Sequence, residues 1–329
     1  MRIPLSVLDL APIAKGESVG SSIAGSVALA QRAEQHGYTR VWYAEHHNMP
    51  SIASSATSVL ISHVGAHTST IRLGAGGVML PNHSPLTIAE QFGTLAAMYP
   101  DRIDLGLGRA PGSDQTTAHA LRRGPSASDS FPQDVQELQA FLGEESLVPG
   151  VTAVPGRGTN VPLYILGSSM FGAHLAAALG LPYAFASHFA PQALEAAVAA
   201  YRREFTPSAQ LDAPYVIAGV NVVAADTTDQ ARENLQSARR SIAVTLFGRG
   251  ESLSDMEADV LLRRGAAEHV DSMFTYAAVG DGREVGDYLE RFRDHVGADE
   301  LITAHQAPST EARLRSVTLT AEAMESVAV

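Results

Sequence analysis

The apolar run Val41-Trp42-Tyr43-Ala44 ends abruptly in Glu45, His46 and His47. A carboxylate and two imidazoles are the groups that hold and move protons near neutral pH. A buried strand that stops at such residues delivers them to one place, and in a barrel of alternating strands and helices that place is the carboxyl end of the strands. Successive strand residues point to opposite faces. One histidine is therefore expected to face a ligand while the other packs against the neighbouring strand end.

Three more strand ends carry unusual residues. Leu73-Gly74-Ala75-Gly76-Gly77-Val78-Met79-Leu80-Pro81-Asn82-His83 has three glycines inside a strand. This pattern weakens a strand, and it marks either close approach by a flat ligand or tight packing at a bend of the barrel. Leu105-Gly106-Leu107-Gly108-Arg109 brings a guanidinium to the next strand end, with a fork of donors suited to phosphate or to an ordinary carboxylate partner. Ile165-Leu166-Gly167-Ser168-Ser169-Met170-Phe171-Gly172 runs from a strand through two serines into an Ala-rich helix. Such a turn either aims hydroxyls and N–H groups at an anion or is a plain serine cap. A serine-hydrolase elbow is excluded, because Phe171 stands where it would require glycine. His63 and His67 have the spacing of two zinc ligands, but Val64 replaces the glutamate of a zinc protease, so that helix is read as packing and no metal site is expected.

Strand and helix patterns alternate along the chain. Eight strands are predicted, over residues 3–10, 40–44, 71–80, 102–107, 163–166, 183–187, 215–223 and 301–304. Helical spacing is read over 20–36, 54–67, 85–98, 129–141, 171–179, 191–205 and 228–246. Eight strand-helix units make a (β/α)8 TIM barrel, an α/β fold of about 250 residues. The surplus falls in insertions, expected at the C-terminal face of the strands. The Gly/Pro/Ser-rich stretches Pro111–Ser130 and Leu147–Asn160 are read as long loops, and Phe247–Glu268, charged and without a clear apolar stripe, as a weakly held lid. No linker divides the chain, so one domain over residues 1–329 is expected.

The chain has a net charge of −12 with basic residues scattered among acids, which argues against a nucleic-acid surface. It contains no cysteine, which removes disulfides, thiolate nucleophiles and thiolate metal sites, and leaves redox chemistry to a bound cofactor. No signal-peptide core or membrane-spanning run is read, and a cytoplasmic protein is expected.

Taken in order, Glu45-His46-His47, the Gly-rich third strand with Leu80-Pro81, Arg109 and Gly167-Ser168-Ser169 resemble the bacterial luciferase-like monooxygenases. The chain is most similar to the single-gene branch reading Ala-Glu-His-His-Asn-Met-Pro and Gly-Leu-Gly-Arg-Ala-Pro-Gly. The resemblance runs over about Leu8–Pro191 and Val279–Ala323. It implies a barrel that uses reduced FMN and oxygen, through a C4a-peroxyflavin, to oxidise a small organic substrate such as an aldehyde. The flavin would come from a separate NAD(P)H-dependent flavin reductase. The resemblance assigns proton transfer to His46 beside Glu45, and phosphate binding to Arg109 and Ser168, with Ser169 and the N–H groups near Phe171 and Gly172 close by. It places a cis peptide beside the flavin ring at Gly76-Gly77, and a homodimer on the helices over 54–67 and 85–98. Gly167 and Gly108 replace a glutamate and a reactive cysteine of luciferase, so light emission is not implied. Two alternatives share the scaffold: hydride transfer with a deazaflavin (F420), and flavin binding without catalysis.

Overall fold

The computed structural model describes residues 3–110, 114–124, 126–248, 251 and 253–326. Among these residues nine strands form one sheet in which every pairing between strands is parallel. The strands are β1 (Leu5–Asp9), β2 (Arg40–Tyr43), β3 (Arg72–Met79), β4 (Ile103–Gly108), β5 (Leu163–Gly167), β6 (Tyr183–Phe185), β7 (Val216–Ala224), β8 (Ala277–Gly280) and β9 (Glu300–His305). Each of β1 to β7 pairs with the next, β7 pairs with β9, and β9 returns to β1, which closes an eight-stranded barrel. The ring strands are those expected from the sequence. β8 is an addition, paired only with the upper end of β7 through Asn221–Ala224.

Helices cover the ring: α1 (Val19–Gln35), α2 (Thr57–Gly65), α3 (Pro85–Met98), α4 (Gln115–Ala120), α5 (Phe131–Leu142), α6 (Met170–Leu179), α7 (Leu194–Glu204), α8 (Thr228–Phe247), α9 (Asp255–Leu261), α10 (Ala267–Met273), α11 (Gly282–Val296) and α12 (Thr310–Ser326). Strand alternation divides the apolar residues into two sets. Val7, Val41, Tyr43, Leu73, Leu105 and their equivalents pack outward on helix residues such as Leu29, Ile61 and Phe92. Leu8, Trp42, Ala44, Tyr164, Ala184, Ile217 and Ile302, from six different strands, pack on one another and fill the barrel axis.

Beneath that interior cluster lies a buried polar floor. The guanidinium of Arg40 donates to Asp104 Oδ2 (2.8 Å), Glu300 Oε2 (3.1 Å) and Tyr164 Oη (2.6 Å). Trp42 Nε1 donates to the same Asp104 oxygen (3.1 Å), while Tyr215 and Ser6 hydroxyls donate to Glu300. Every charge here has an opposite charge and further hydrogen bonds, the condition under which ions persist in an interior.

The expected insertions behave differently from one another. The stretch after β4 holds α4, capped by Asp114, whose carboxylate also accepts from Asn48 Nδ2 in the loop after β2 (3.3 Å). Residues 111–113 and 125 of that stretch lie outside the described set. Leu147–Asn160 precedes β5, so it stands at the end where strands begin, not at the C-terminal face. There it packs on α3, where a Cβ on Gly93 would lie 2.4 Å from the backbone of Gly156. The segment expected to be a weakly held lid contains α9, a π-helical turn over Leu262–Ala266 and α10, with residues 249, 250 and 252 outside the described set. It is docked on α8. Leu262, Ala266 and Val270 pack on Ala243, and Arg240 and Arg239 form paired bonds with Asp259 and Asp271. Those three apolar residues recur every four positions, and that is the stripe the charge around them conceals.

Among the described residues no helix is long and apolar enough to cross a membrane. His63 and His67 lie ring to ring at 4.7 Å, and His67 Nδ1 bonds the carbonyl of His63 (2.8 Å), a local packing contact.

His305, at the end of β9, carries a stability consequence. Thr303 donates its hydroxyl proton to the Ser6 carbonyl, so its oxygen accepts from His305 Nε2 (3.0 Å), and Ser316 Oγ donates to Nδ1 (2.8 Å). Burial, and then the charge of Arg313, push the pKa of this neutral imidazole down to about 3. As pH falls below the unfolded value of about 6.5, the unfolded chain gains a proton that the native state refuses, so stability declines with acidification until about pH 3. One such proton corresponds to about 1.4 kcal/mol per pH unit. His305→Gln should flatten the slope of unfolding free energy between pH 4.5 and 6 by about that amount, measured in urea; an unchanged slope would mean that His305 protonates in the native state.

Candidate active site

β2 ends beside a turn that folds back on it: His46 N–H donates to the Ser54 carbonyl (3.0 Å) and Ser54 Oγ donates to the Ala44 carbonyl (2.6 Å). Alternation then decides which way each group points. Trp42 and Ala44 face the barrel axis, and His46 continues their row into the mouth. Glu45 and His47 face away from it, toward the segment after β3.

Glu45 is buried and holds that segment. Its carboxylate accepts from His83 Nε2 (2.9 and 3.0 Å), His47 Nε2 (2.8 Å), Met79 N–H (2.9 Å) and Asn82 Nδ2 (3.1 Å). Burial alone would raise its pKa, but the bonds from His83, His47 and Met79 outweigh it, and the carboxyl titrates below the ordinary glutamate value. Glu45 thus fixes the rim; it does not bond to His46. His47 is the histidine that packs.

His46 is the one left free. Its Nδ1 is buried with no hydrogen-bond partner among the described residues. Burial pulls its pKa below the usual histidine value, with the charge of Glu45 opposing and His47 adding to the effect. A neutral imidazole at physiological pH is able to take up a proton.

In the neighbouring strand β3 the Gly76–Gly77 peptide is cis, and the ladder between β3 and β4 skips from Ala75 to Val78. A Cβ on Gly76 would lie 2.8 Å from Trp42 Cβ and Leu8 Cδ1, and one on Gly77 would lie 2.7 Å from the Gly106 carbonyl oxygen. Only glycine lets the backbone approach that closely.

At the ends of β4 and β5, Arg109 and Phe171 are exposed and in contact, the guanidinium carbon 3.9 Å from the ring centroid. Arg lying on an aromatic face is a favourable cation–π pair that also orients the fork. Ser169 is the N-cap of α6 but makes no side-chain cap bond, so its hydroxyl and the first-turn N–H groups remain available. Ser168 is half-buried, and Gly172 is buried against Tyr183, whose hydroxyl donates to the Ser169 carbonyl (3.0 Å) and fixes the turn. β2, β3, β4 and β5 are consecutive around the barrel, so the expected site residues occupy adjoining strand ends on one side of the mouth.

Sequence reasoning passed over His83, whose Nε2 reaches both carboxylate oxygens of Glu45, and His188, whose buried Nδ1 also has no partner among the described residues. His188 directly follows Tyr183-Ala184-Phe185-Ala186-Ser187, so the strand-end argument that found His46 also applies to it.

No metal-holding group of three or more His, Asp or Glu residues occurs among the described residues. The site's free groups are instead two imidazole nitrogens, a guanidinium, unused hydroxyls and a helix N-terminus. An organic cofactor with an anionic end fits such a donor set.

Comparison with known proteins agrees. A "Luciferase-like monooxygenase" of Escherichia coli (strain K12) is 46% identical over 326 residues, covering 98% of this chain and 97% of that protein. The N-acetyl-S-alkylcysteine monooxygenase of Bacillus subtilis (strain 168) is 34% identical, covering 88% of each. The crystal structure of apo-MsnO8 superposes with a TM-score of 0.89 at 36% identity and 98% coverage of both chains. The model of the luciferase-like monooxygenase family matches residues 3–300. With its parallel barrel, its glycine-built third strand and its histidine-bearing mouth, this chain belongs to the luciferase-like monooxygenase family of oxidoreductases.

Proposed function

We propose that this monooxygenase uses reduced FMN and molecular oxygen to oxidise a small organic substrate, with the flavin supplied by a separate NAD(P)H-dependent reductase in the cytoplasm. The observation that carries this reading is the imidazole of His46 at the end of β2, its Nδ1 without a partner among the described residues, with the Gly76–Gly77 backbone in the neighbouring β3 and, two strands on, the Arg109–Phe171 pair at the N-terminus of α6. Bound reduced FMN supplies the electrons with which oxygen is activated. The chain's own groups do the rest. Arg109, Ser168, Ser169 and the N–H groups of Phe171 and Gly172 hold the phosphate, because a guanidinium, hydroxyls and helix N–H groups together suit a dianion. Gly76 and Gly77 leave a flat surface for the ring. His46, neutral and with no partner for Nδ1 among the described residues, takes and returns a proton, and Glu45 holds the rim through His47, His83 and Met79.

Arg109→Ala should weaken FMN binding by about tenfold to a hundredfold, since a hydrogen bond to a charged group contributes about 1.5 to 3 kcal/mol. Fluorescence titration measures this directly, and unchanged affinity would remove Arg109 from the phosphate site. Running the titration with FMN and F420 side by side, and following oxygen uptake, separates the oxygenase from hydride transfer with a deazaflavin and from binding without turnover.

The assembly proposed is a homodimer through α2 and α3. Val59 and Met98, both large and apolar, are exposed on these helices, and Ser58 of α2 donates to Gln91 of α3 (2.8 Å), which holds the two helices as one surface. Light scattering at micromolar concentration should give twice the chain's 34.6 kDa; a monomer mass would refute this assembly.

A further inference from the structure

The barrel mouth holds a second histidine in an unusual state. His188 follows β6, and its backbone is clamped to β7. Asn221 Nδ2 donates to the His188 carbonyl (2.6 Å) and to the Met273 carbonyl (2.9 Å), Gln306 Nε2 donates to Asn221 Oδ1 (3.0 Å), and the neighbouring Ser187 Oγ donates to the Gly219 carbonyl. The ring lies over Gly219, where a Cβ would sit 2.5 Å from His188 Nδ1. Gly219 shares its strand face with Ile217 of the interior cluster, so the imidazole lies on the interior face of β7. Phe189 packs edge-on against it at 5.1 Å.

His188 Nδ1 is nonetheless buried with no hydrogen-bond partner among the described residues, and the same is true of His46 Nδ1. An unmet buried polar atom costs about 1 to 3 kcal/mol, and such atoms in a native structure need a reason. His46 and His188 follow β2 and β6, which stand opposite one another in the eight-stranded ring, and burial, and then His46, push the pKa of His188 down to about 4. Both imidazoles are therefore neutral in use. A cation or a strong anion has no opposite charge to meet between them, whereas an uncharged oxygen accepts from one ring or donates to the other without a charge being buried.

We propose that His188 is a second ligand-contacting histidine, which together with His46 forms one polar seat for an uncharged oxygen-bearing group, carbonyl or hydroxyl, of the organic substrate. This rests on the oxygenase reading for its functional meaning but not for its test. His188 acts in binding and orientation, and His46 moves the proton.

The probes are octanal and 1-octanol, added to protein labelled with 15N at its histidines, with ring nitrogens followed by NMR. The expected result is that the ring signals of His46 and His188 shift together with one dissociation constant, while those of His305, bonded at both nitrogens, stay still. His188→Phe, which keeps ring volume and removes the nitrogens, should weaken probe binding about tenfold, and His188→Gln should recover most of it. Unchanged His305 signals report that each variant is folded. FMN affinity should remain within about twofold in both variants. If neither probe moves the His188 ring, or if His46 alone responds, or if His188→Phe binds the probes as the parent does, the shared seat is overturned. FMN titrated into the same samples separates the two readings: normal flavin binding with a silent His188 removes only the seat, whereas coupled histidine shifts without flavin binding remove only the flavin reading.

Discussion

His46→Ala should bind FMN nearly as the parent does and lose turnover by about a hundredfold or more, the usual contribution of a positioned acid-base group. The separation follows from where the ring stands. His46 stands at the end of β2, whereas the groups proposed for the phosphate come from the ends of β4 and β5, beyond β3, and its own backbone bond to Ser54 does not involve the side chain. Removing the imidazole therefore leaves the anchoring groups in place. It takes away the free nitrogen whose pKa burial has lowered, so that the proton-accepting form predominates at neutral pH. The measurement is a pair: FMN affinity by fluorescence, and substrate turnover with reduced FMN supplied at saturation. Turnover within a few-fold of the parent would eliminate His46 as the proton carrier; a parallel collapse of FMN affinity would make it a binding residue instead. Glu45→Gln behaves differently on this account. It removes the charge that gathers His47 and His83, so its losses should come with a loosened segment after β3, seen as faster amide exchange around Met79.

How far the sequence predicts this site depends on how local each determinant is. The strand ends at Glu45-His46-His47, Arg109 and Ser168-Ser169 are legible because the change from apolar run to polar cluster is written within a few residues. The choice between His46 and His47 is also legible in kind, since alternation allows only one to face the mouth; which one becomes clear only with the parity of Trp42 and Ala44. The Glu45–His83 contact spans 38 positions and depends on how the chain turns after β3, so no local pattern announces it. β8 escapes because Ala277–Gly280 is four small residues that need no core of their own; the upper end of β7 supplies the pairing edge. The α9–α10 stripe of Leu262, Ala266 and Val270 escapes for another reason: Arg263, Arg264, Glu268 and His269 stand between its members, and the eye reads charge. For His83 and β8 the deciding partner lies far along the chain.

The largest stability effect is expected at the barrel floor. Arg40→Met should cost about 3 to 5 kcal/mol, the range for removing one partner of a buried ion pair. The reason is the carboxylates left behind. Asp104 keeps Arg72, which is only partly buried, and the indole N–H of Trp42, but Glu300 keeps only the hydroxyls of Ser6 and Tyr215 and has no positive charge left. A buried carboxylate in that position must stay unpaired or take up a proton, and either outcome costs free energy. The loss also reaches the site, because Arg40 packs under both Trp42 and Tyr164, whose rings meet edge to face at 4.9 Å and form the surface on which the mouth rests. Urea unfolding at pH 7 measures the cost, and the double variant Arg40→Met with Glu300→Gln discriminates its origin. If the uncompensated charge dominates, neutralising Glu300 should recover a large part of the loss; if lost packing of the guanidinium stem dominates, the double variant should be no more stable than the single one. An Arg40→Met protein within 1 kcal/mol of the parent would show that the floor relaxes or admits water, and that the fit of Trp42 beneath Gly76 is set by the glycines alone.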